Sequence, residues 1–324
     1  MATAYRSTSP QGLDHRLPPM RLWHKAKRLG VWDPRDIDLG QDAADWRGLD
    51  DEQRDVILRL TALFQGGEES VTLDLLPLMM VVAQEGRLEE EMYLTSFLWE
   101  EAKHVEAFRR FLDEVAVERT DLTRFHGPLY RRLFGEELPD AMNRLRTDAS
   151  PVAQAAASVT YNMIVEGVLA ETGYHGYDRM LRRNGIMPGM QTIIGHLRRD
   201  EARHIAYGVF FLSRLIAEHG DEVWNAVEER LNELLPLAMG IVGEVFEPYA
   251  VPPFGLQIDE FADFAIGQFG KRAARLEKAR GQTLAEVMGT PLETEEAGGT
   301  EEAGADEALA VATATATATE GIRA

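Results

Sequence analysis

The sequence predicts an all-α protein, a bundle of long helices. Three observations carry this expectation. Apolar residues recur at helical spacing over several long runs, and no segment shows sustained strand alternation. Helix start and stop signals bracket those runs, among them Ser150-Pro151, Asn184-Gly185 and Gly220. The pattern Glu-x-x-His also occurs twice, at Glu101 with His104 and at Glu201 with His204. On a helix, residues i and i+3 share a face, so each pair can aim a carboxylate and an imidazole at one point.

In chain order, residues 1–20 are rich in Pro, Ser and Arg without a period, and read as an extended arm. Trp23, Trp32 and Trp46 crowd residues 21–50, which suits a segment packed on the bundle. Asp50 and Asp51 mark the start of a helix whose apolar residues include Val56, Leu60, Leu63 and Phe64. Gly66 and Gly67 interrupt it just before Glu68, and the pattern resumes at Val71, Leu75 and Leu78. Two adjacent glycines there predict a local distortion within one long helix. A second helix spans about 87–118, and residues 121–149 read as a connection with short helices. A third helix starts at Ser150-Pro151 and carries Tyr161 and Glu166; a fourth spans about 188–219. Helices also fit 221–247 and 257–280. From residue 283 onward, acidic residues, Gly, Ala and Thr dominate and aromatics are gone, so 283–324 reads as a disordered tail behind a single domain at 21–282.

Composition narrows the chemistry. The 324 residues contain no cysteine, which excludes disulfides, iron–sulfur clusters and cysteine nucleophiles and fits a reducing, cytoplasmic setting. The net charge of −20 disfavours nucleic-acid binding. The start lacks the order of a signal peptide, and the most apolar run, Leu75 to Ala83, is too short to span a membrane.

The chemistry-bearing residues form a series: Glu68, then Glu101 and His104, then Glu166, then Glu201 and His204. One Glu-x-x-His alone is an ordinary feature of a solvated helix. Two on separate long helices, each preceded by a lone glutamate, are not. Glu166 sits in the apolar run Met163 to Leu169, where a bare ionised carboxylate is prohibitively costly. Four carboxylates and two imidazoles projecting inward from four helices make a site for two metal ions. This oxygen-rich, sulfur-free donor set suits iron or manganese better than zinc. Such a redox-active pair points to dioxygen chemistry rather than hydrolysis.

These residues, with Trp32-Asp33-Pro34, Ile37-Asp38, Asp42 and Asp200, make residues 21–280 resemble the small subunit of ribonucleotide reductase, a ferritin-like helical bundle. The resemblance implies a hydrogen-bonded chain from Trp32 through Asp200 to His104; simple core packing is the rival role for Trp32. Two departures stand out. The position that usually stores a tyrosyl radical, four residues after the first ligand histidine, is Phe108. No Tyr or Trp follows Tyr249, so the tail lacks the aromatics that export a radical to a large subunit.

The chain resembles more closely the small-subunit-like ligand-binding oxidases. That resemblance implies one manganese and one iron per chain, a long-chain fatty-acid-like ligand and a homodimer. It also implies a tyrosine–valine ether cross-link, whose partners match Tyr161 and Val71, in place of their roles as core residues. Glu68, Glu101 and His104 would hold manganese, and Glu166, Glu201 and His204 iron; sequence chemistry alone leaves a di-iron pair open. The expected function is a dioxygen-activating oxidase, performing a two-electron oxidation of a bound hydrophobic ligand with electrons from an external reductant. The alternatives are a tyrosine-less reductase subunit that generates a radical, an acyl desaturase, and an iron-storage or lipid-binding protein. Gly167, Gly173 and Gly176 are read as close packing rather than room for an acyl chain. Tyr174, Tyr207 and the Met79–Met80 pair are read as core. His175, His196 and His219 are read as structural or exposed.

Overall fold

The computed structural model describes residues 5–290, and every regular element among them is helical. Two short helices, α1 (Pro18–Leu29) and α2 (Gly40–Gly48), precede the bundle. The long helices α3 (Asp51–Gln84) and α4 (Leu88–Arg110) form an antiparallel pair. A connection follows, with α5 (Pro128–Arg132) and α6 (Leu138–Arg144). Next, α7 (Pro151–Ser158) runs through a π-helical stretch, Val159–Ala170, into α8 (Glu171–Asn184). The chain closes with α9 (Pro188–His219), α10 (Asp221–Phe246), α11 (Ile258–Ala279) and α12 (Leu284–Gly289). α4 packs on α3, α1 and α9, and the π-helical stretch lies between α9, α10 and α11.

Local chemistry explains the boundaries. The Asp50 carboxylate accepts from the Gln53 amide and the Gln53 side chain from the Asp50 amide, a reciprocal cap that starts α3. Ser150 caps α7, with Pro151 in its first turn. Gly185 and Gly220 follow α8 and α9 at φ of 64° and 66°, a region where other residues are strained.

Three expectations about segment bounds and helix shape need correction. The N-terminal arm ends at Leu17 rather than at residue 20, because Pro18, Pro19 and Met20 are already buried in the first turn of α1. The ordered body extends beyond residue 282. Thr283 and Glu286 form a capping box, Val287 is buried, and Arg21 reaches the Thr290 carbonyl at 3.1 Å. The remainder of the expected tail, 291–324, lies outside the described residues. Finally, α3 continues as regular α-helix through Gly66 and Gly67. A Cβ on Gly66 would come within 2.9 Å of the Tyr130 hydroxyl and 3.0 Å of the His126 ring, so glycine serves close approach. The distortion lies in the third long helix instead, where the π-helical stretch carries Tyr161 and Glu166.

The apolar core is divided. One cluster gathers Val71, Leu75, Tyr93, Phe97, Tyr161 and Tyr207; the other gathers Phe64, Phe108, Tyr174 and Ile194. Glu68, Glu101, His104, Glu166, Glu201 and His204 lie in mid-helix along the seam. The glycines of α8 serve packing, as expected: a Cβ on Gly173 would overlap Phe64, and one on Gly176 would overlap Phe261. Met80 differs from expectation, being 54 % exposed. Among the described residues, no helix is long and apolar enough to cross a membrane.

Asp74 on α3 is 5 % exposed and has no hydrogen-bond or ion-pair partner among the described residues. Burial pushes its carboxyl up to about 6. The folded state therefore holds the proton more tightly than the unfolded chain, and stability is lost as pH rises through that value. Asp74→Asn is expected to stabilise the fold by about 1–2 kcal/mol at neutral pH and to leave it unchanged in acid, where the carboxyl is protonated. Denaturant melts of both forms at the two pH values measure this.

Candidate metal centre

The six sequence-predicted residues converge. Glu68, Glu101, His104 and Glu201 form one group of donor atoms within 4.8 Å of one another, and Glu101, Glu166, Glu201 and His204 form a second. Glu101 and Glu201, the leading residues of the two Glu-x-x-His pairs, belong to both groups. Each would contribute a carboxylate to both donor groups. The imidazole Nδ1 atoms face this cluster: His104 Nδ1 is 3.3 Å from Glu68 and 3.4 Å from Glu201, and His204 Nδ1 is 3.1 Å from Glu101.

Behind the imidazoles the arrangement crosses over. Asp200, on the helix of the second motif, lies 3.4 Å from Nε2 of His104 in the first. Glu100, on the helix of the first, lies 2.9 Å from Nε2 of His204 in the second. Each acid thus holds the imidazole of the opposite motif and fixes which nitrogen faces the cluster. The third residue of each motif is a buried cation that neutralises these acids. Lys103 lies 3.2 Å from Asp200, and Arg203 reaches Asp200 at 2.5 Å and Glu100 at 2.6 Å. The Trp32 indole donates to Asp200 at 2.8 Å, which completes the expected chain to His104. His196 stacks on Trp32 with centroids 4.8 Å apart, while His175 stacks on Phe264.

Sequence reasoning missed Glu100, Asn162 and the role of Tyr174. Glu100 was legible in the symmetry between Glu100-Glu101 and Asp200-Glu201. Asn162 donates to Glu166 at 2.9 Å, one turn away. Tyr174, expected as core, donates its phenol proton to Glu68 and stacks on Phe64. Tyr207 is fully buried, and its hydroxyl bonds to Glu90 rather than to the cluster.

The electrostatics suit cations. Burial pushes Glu68 up to about 8 against the pull of His104. Burial and the nearby Glu201 push Glu166 well above the carboxylate range. Burial opposes ionisation of Glu101 too, but the two facing imidazoles outweigh it and hold Glu101 low. Both imidazoles are raised well above their ordinary value despite burial, because carboxylates surround them. Both oxygens of Glu101, one each of Glu166 and Glu201, and Nδ1 of His204 are buried without a hydrogen-bond partner. Each such atom costs about 1–3 kcal/mol. They converge on one place, which a pair of metal ions would satisfy.

A cleft opens beside these carboxylates. Glu68, Glu101, Glu166 and Glu201 stand at its wall, and the rest of the lining is almost wholly apolar, including Val71, Phe134, Leu169, Ile241 and Phe246. Tyr161 is fully buried, and its hydroxyl donates to the Val71 carbonyl at 3.1 Å.

The family model for the small chain of ribonucleotide reductase matches residues 19–265. The chain belongs to that family. Solved structures it resembles include an R2-like ligand-binding oxidase from Sulfolobus acidocaldarius, 38% identical, with a TM-score of 0.81 over 89% of this chain and 99% of that one. Two variants of an R2-like ligand-binding oxidase with an anaerobically reconstituted Mn/Fe cofactor are also 38% identical, over 85% of this chain and 98% of theirs. One, a valine-to-leucine change, gives a TM-score of 0.80; the other, a tyrosine-to-phenylalanine change, gives 0.79. These likenesses place the chain with the R2-like ligand-binding oxidases, among oxidoreductases.

Asp200→Ala is expected to leave Lys103 and Arg203 buried and under-paired, at a cost of about 3–5 kcal/mol. Denaturant unfolding of the metal-free protein measures it, and a loss below 1 kcal/mol would contradict the neutralising role.

Proposed function

We propose that this protein is a dioxygen-activating oxidase holding one manganese and one iron ion, acting on a long-chain, fatty-acid-like ligand by two-electron oxidation. The observation that carries this is an apolar cleft ending on a converging set of unpartnered, buried donors. Glu68 and His104 would hold one ion, Glu166 and His204 the other, with Glu101 and Glu201 between them. The metal pair supplies the redox equivalents that activate dioxygen.

The chain's residues do the rest. The cleft excludes water and orients the acyl chain, with its polar head toward the carboxylates. Trp32 and Asp200 form the path by which electrons from an external donor would approach His104. Tyr161 and Val71 would form an ether cross-link: a C–O bond replaces a valine C–H and the phenol O–H, and two protons and two electrons pass to dioxygen. Supporting this pair, variants among the related oxidase structures change a glycine, a valine four positions later and a tyrosine ninety positions after that. Gly67, Val71 and Tyr161 have the same types and spacing. A radical-exporting subunit is disfavoured by Phe108, which packs at 5.0 Å against Phe64 where a phenol would be needed. A homodimer belongs to the proposal, supported by the exposed row Leu73, Leu76 and Met80 on one face of α3.

Aerobic loading with manganese and iron is expected to join the Val71 and Tyr161 peptides with loss of two hydrogens, read by mass spectrometry. Fully metallated, oxygen-exposed protein with both peptides unlinked would overturn the cross-link. Metal content separates the ligand roles: Glu101→Gln is expected to lose both ions, and Glu68→Gln chiefly one. Retention of both ions in Glu101→Gln would refute the shared role.

A further inference from the structure

A second line of aromatic residues leads away from the centre, from the imidazole that Trp32 does not serve. Phe97 lies flat on His204, with centroids 3.6 Å apart and planes 10° apart. Tyr93, one turn earlier on α4, meets Phe97 edge-on at 6.1 Å and Tyr207 at 5.1 Å. All three rings are fully buried. The Tyr207 phenol donates to Glu90 at 3.1 Å. Glu90 lies 3.3 Å from Arg214 and 3.8 Å from Arg87, and Arg87 reaches the part-exposed Glu218 at 3.0 Å.

Packing alone does not account for these phenols. Phenylalanine would fill the same space. The Tyr93 hydroxyl is buried without a hydrogen-bond partner, a cost of about 1–3 kcal/mol. A tyrosine yields an electron readily only when its proton leaves at the same time. Tyr207 has an acceptor for that proton and Tyr93 has none. Burial raises the Glu90 carboxyl above the ordinary range, against the pull of Arg214 and Arg87, so it holds a proton more readily than a surface carboxylate.

We propose that Tyr207 is a redox-active residue, the end of a route by which an oxidising equivalent leaves the centre when the ligand does not consume it. Tyr207 would give one electron, along the line of Tyr93 and Phe97, to the oxidant that dioxygen and a bound metal pair would supply, lowering that oxidant by one electron. The phenolic proton crosses to Glu90. The products are a neutral tyrosyl radical and a protonated carboxyl, and Tyr93 carries the electron only in passing. This inference rests on the dimetal reading above.

Protein loaded with manganese and iron without oxygen is mixed with excess dioxygen, with no reductant, and frozen at intervals for electron paramagnetic resonance. A tyrosyl signal is expected that narrows with ring-deuterated tyrosine. It should be lost in Tyr207→Phe and in Glu90→Gln, and kept in Tyr249→Phe, whose phenol meets Asp55 far from the centre. Fluorotyrosine placed at position 207 in the otherwise native protein should add fluorine splitting, which tests the assignment even where a variant folds poorly. Absence of a tyrosyl signal, or a signal without that splitting, overturns the proposal. Metal content and dioxygen uptake are measured in the same samples. Failure of both sinks the dimetal reading; normal values without a Tyr207 radical sink this inference alone.

Discussion

Burying four carboxylates and two imidazoles in the middle of a helical bundle is the constraint on which the rest of this structure depends. Ionised groups at that depth are tolerated only when charge and hydrogen bonds surround them. The apolar core divides into two clusters to leave the seam, and each helix that crosses it contributes one or two polar side chains in mid-run. Behind them stand Glu100, Asp200, Lys103 and Arg203, all within the two motif-bearing helices. Most of the centre's unpaired atoms belong to the inner donors, while the outer acids Glu100 and Asp200 are paired with Arg203, and only Arg203 Nε among the outer groups lacks a partner. That contrast distinguishes a prepared metal site from a buried ion-pair network built for stability.

The two motif helices are related by a near-repetition, Glu-Glu-Ala-Lys-His against Asp-Glu-Ala-Arg-His. Four of its five positions have a defined task. The first acid holds the opposite imidazole, the second faces both donor groups, the base neutralises the outer acids, and the histidine faces the cluster. Exchange of partners between α4 and α9 ties the helices together, so the positions of the two imidazoles are mutually dependent. The π-helical stretch across the seam sets Glu166 and Tyr161 in a helix wider than an α-helix, and Asn162 braces Glu166 within that stretch.

Much of this was legible in the chain. The six inward residues could be read from spacing, because i and i+3 on a helix leave little freedom. Trp32 and Asp200 could be read from the resemblance, and they lie in contact. What escaped was set by neighbours distant in sequence. Tyr174 bonds to Glu68 from 106 residues away, and Glu100 meets His204 from 104 away. The Gly66–Gly67 pair suggested a distorted helix because a lone strand of sequence cannot show that Tyr130 and His126 press against it.

The sequence by itself determined the helical class, the order of the long helices and the identity of the inward donors. Helical periodicity and the high cost of a bare carboxylate in apolar surroundings are local matters, and both can be read along the chain. Only the tertiary structure decided which carboxylates are shared between the two donor groups, which acid holds which imidazole, and where the helix widens. It also decided that the Tyr161 hydroxyl meets Val71 and that an apolar cleft ends at the cluster. These depend on how helices far apart in sequence cross, a geometry set by packing across the whole bundle.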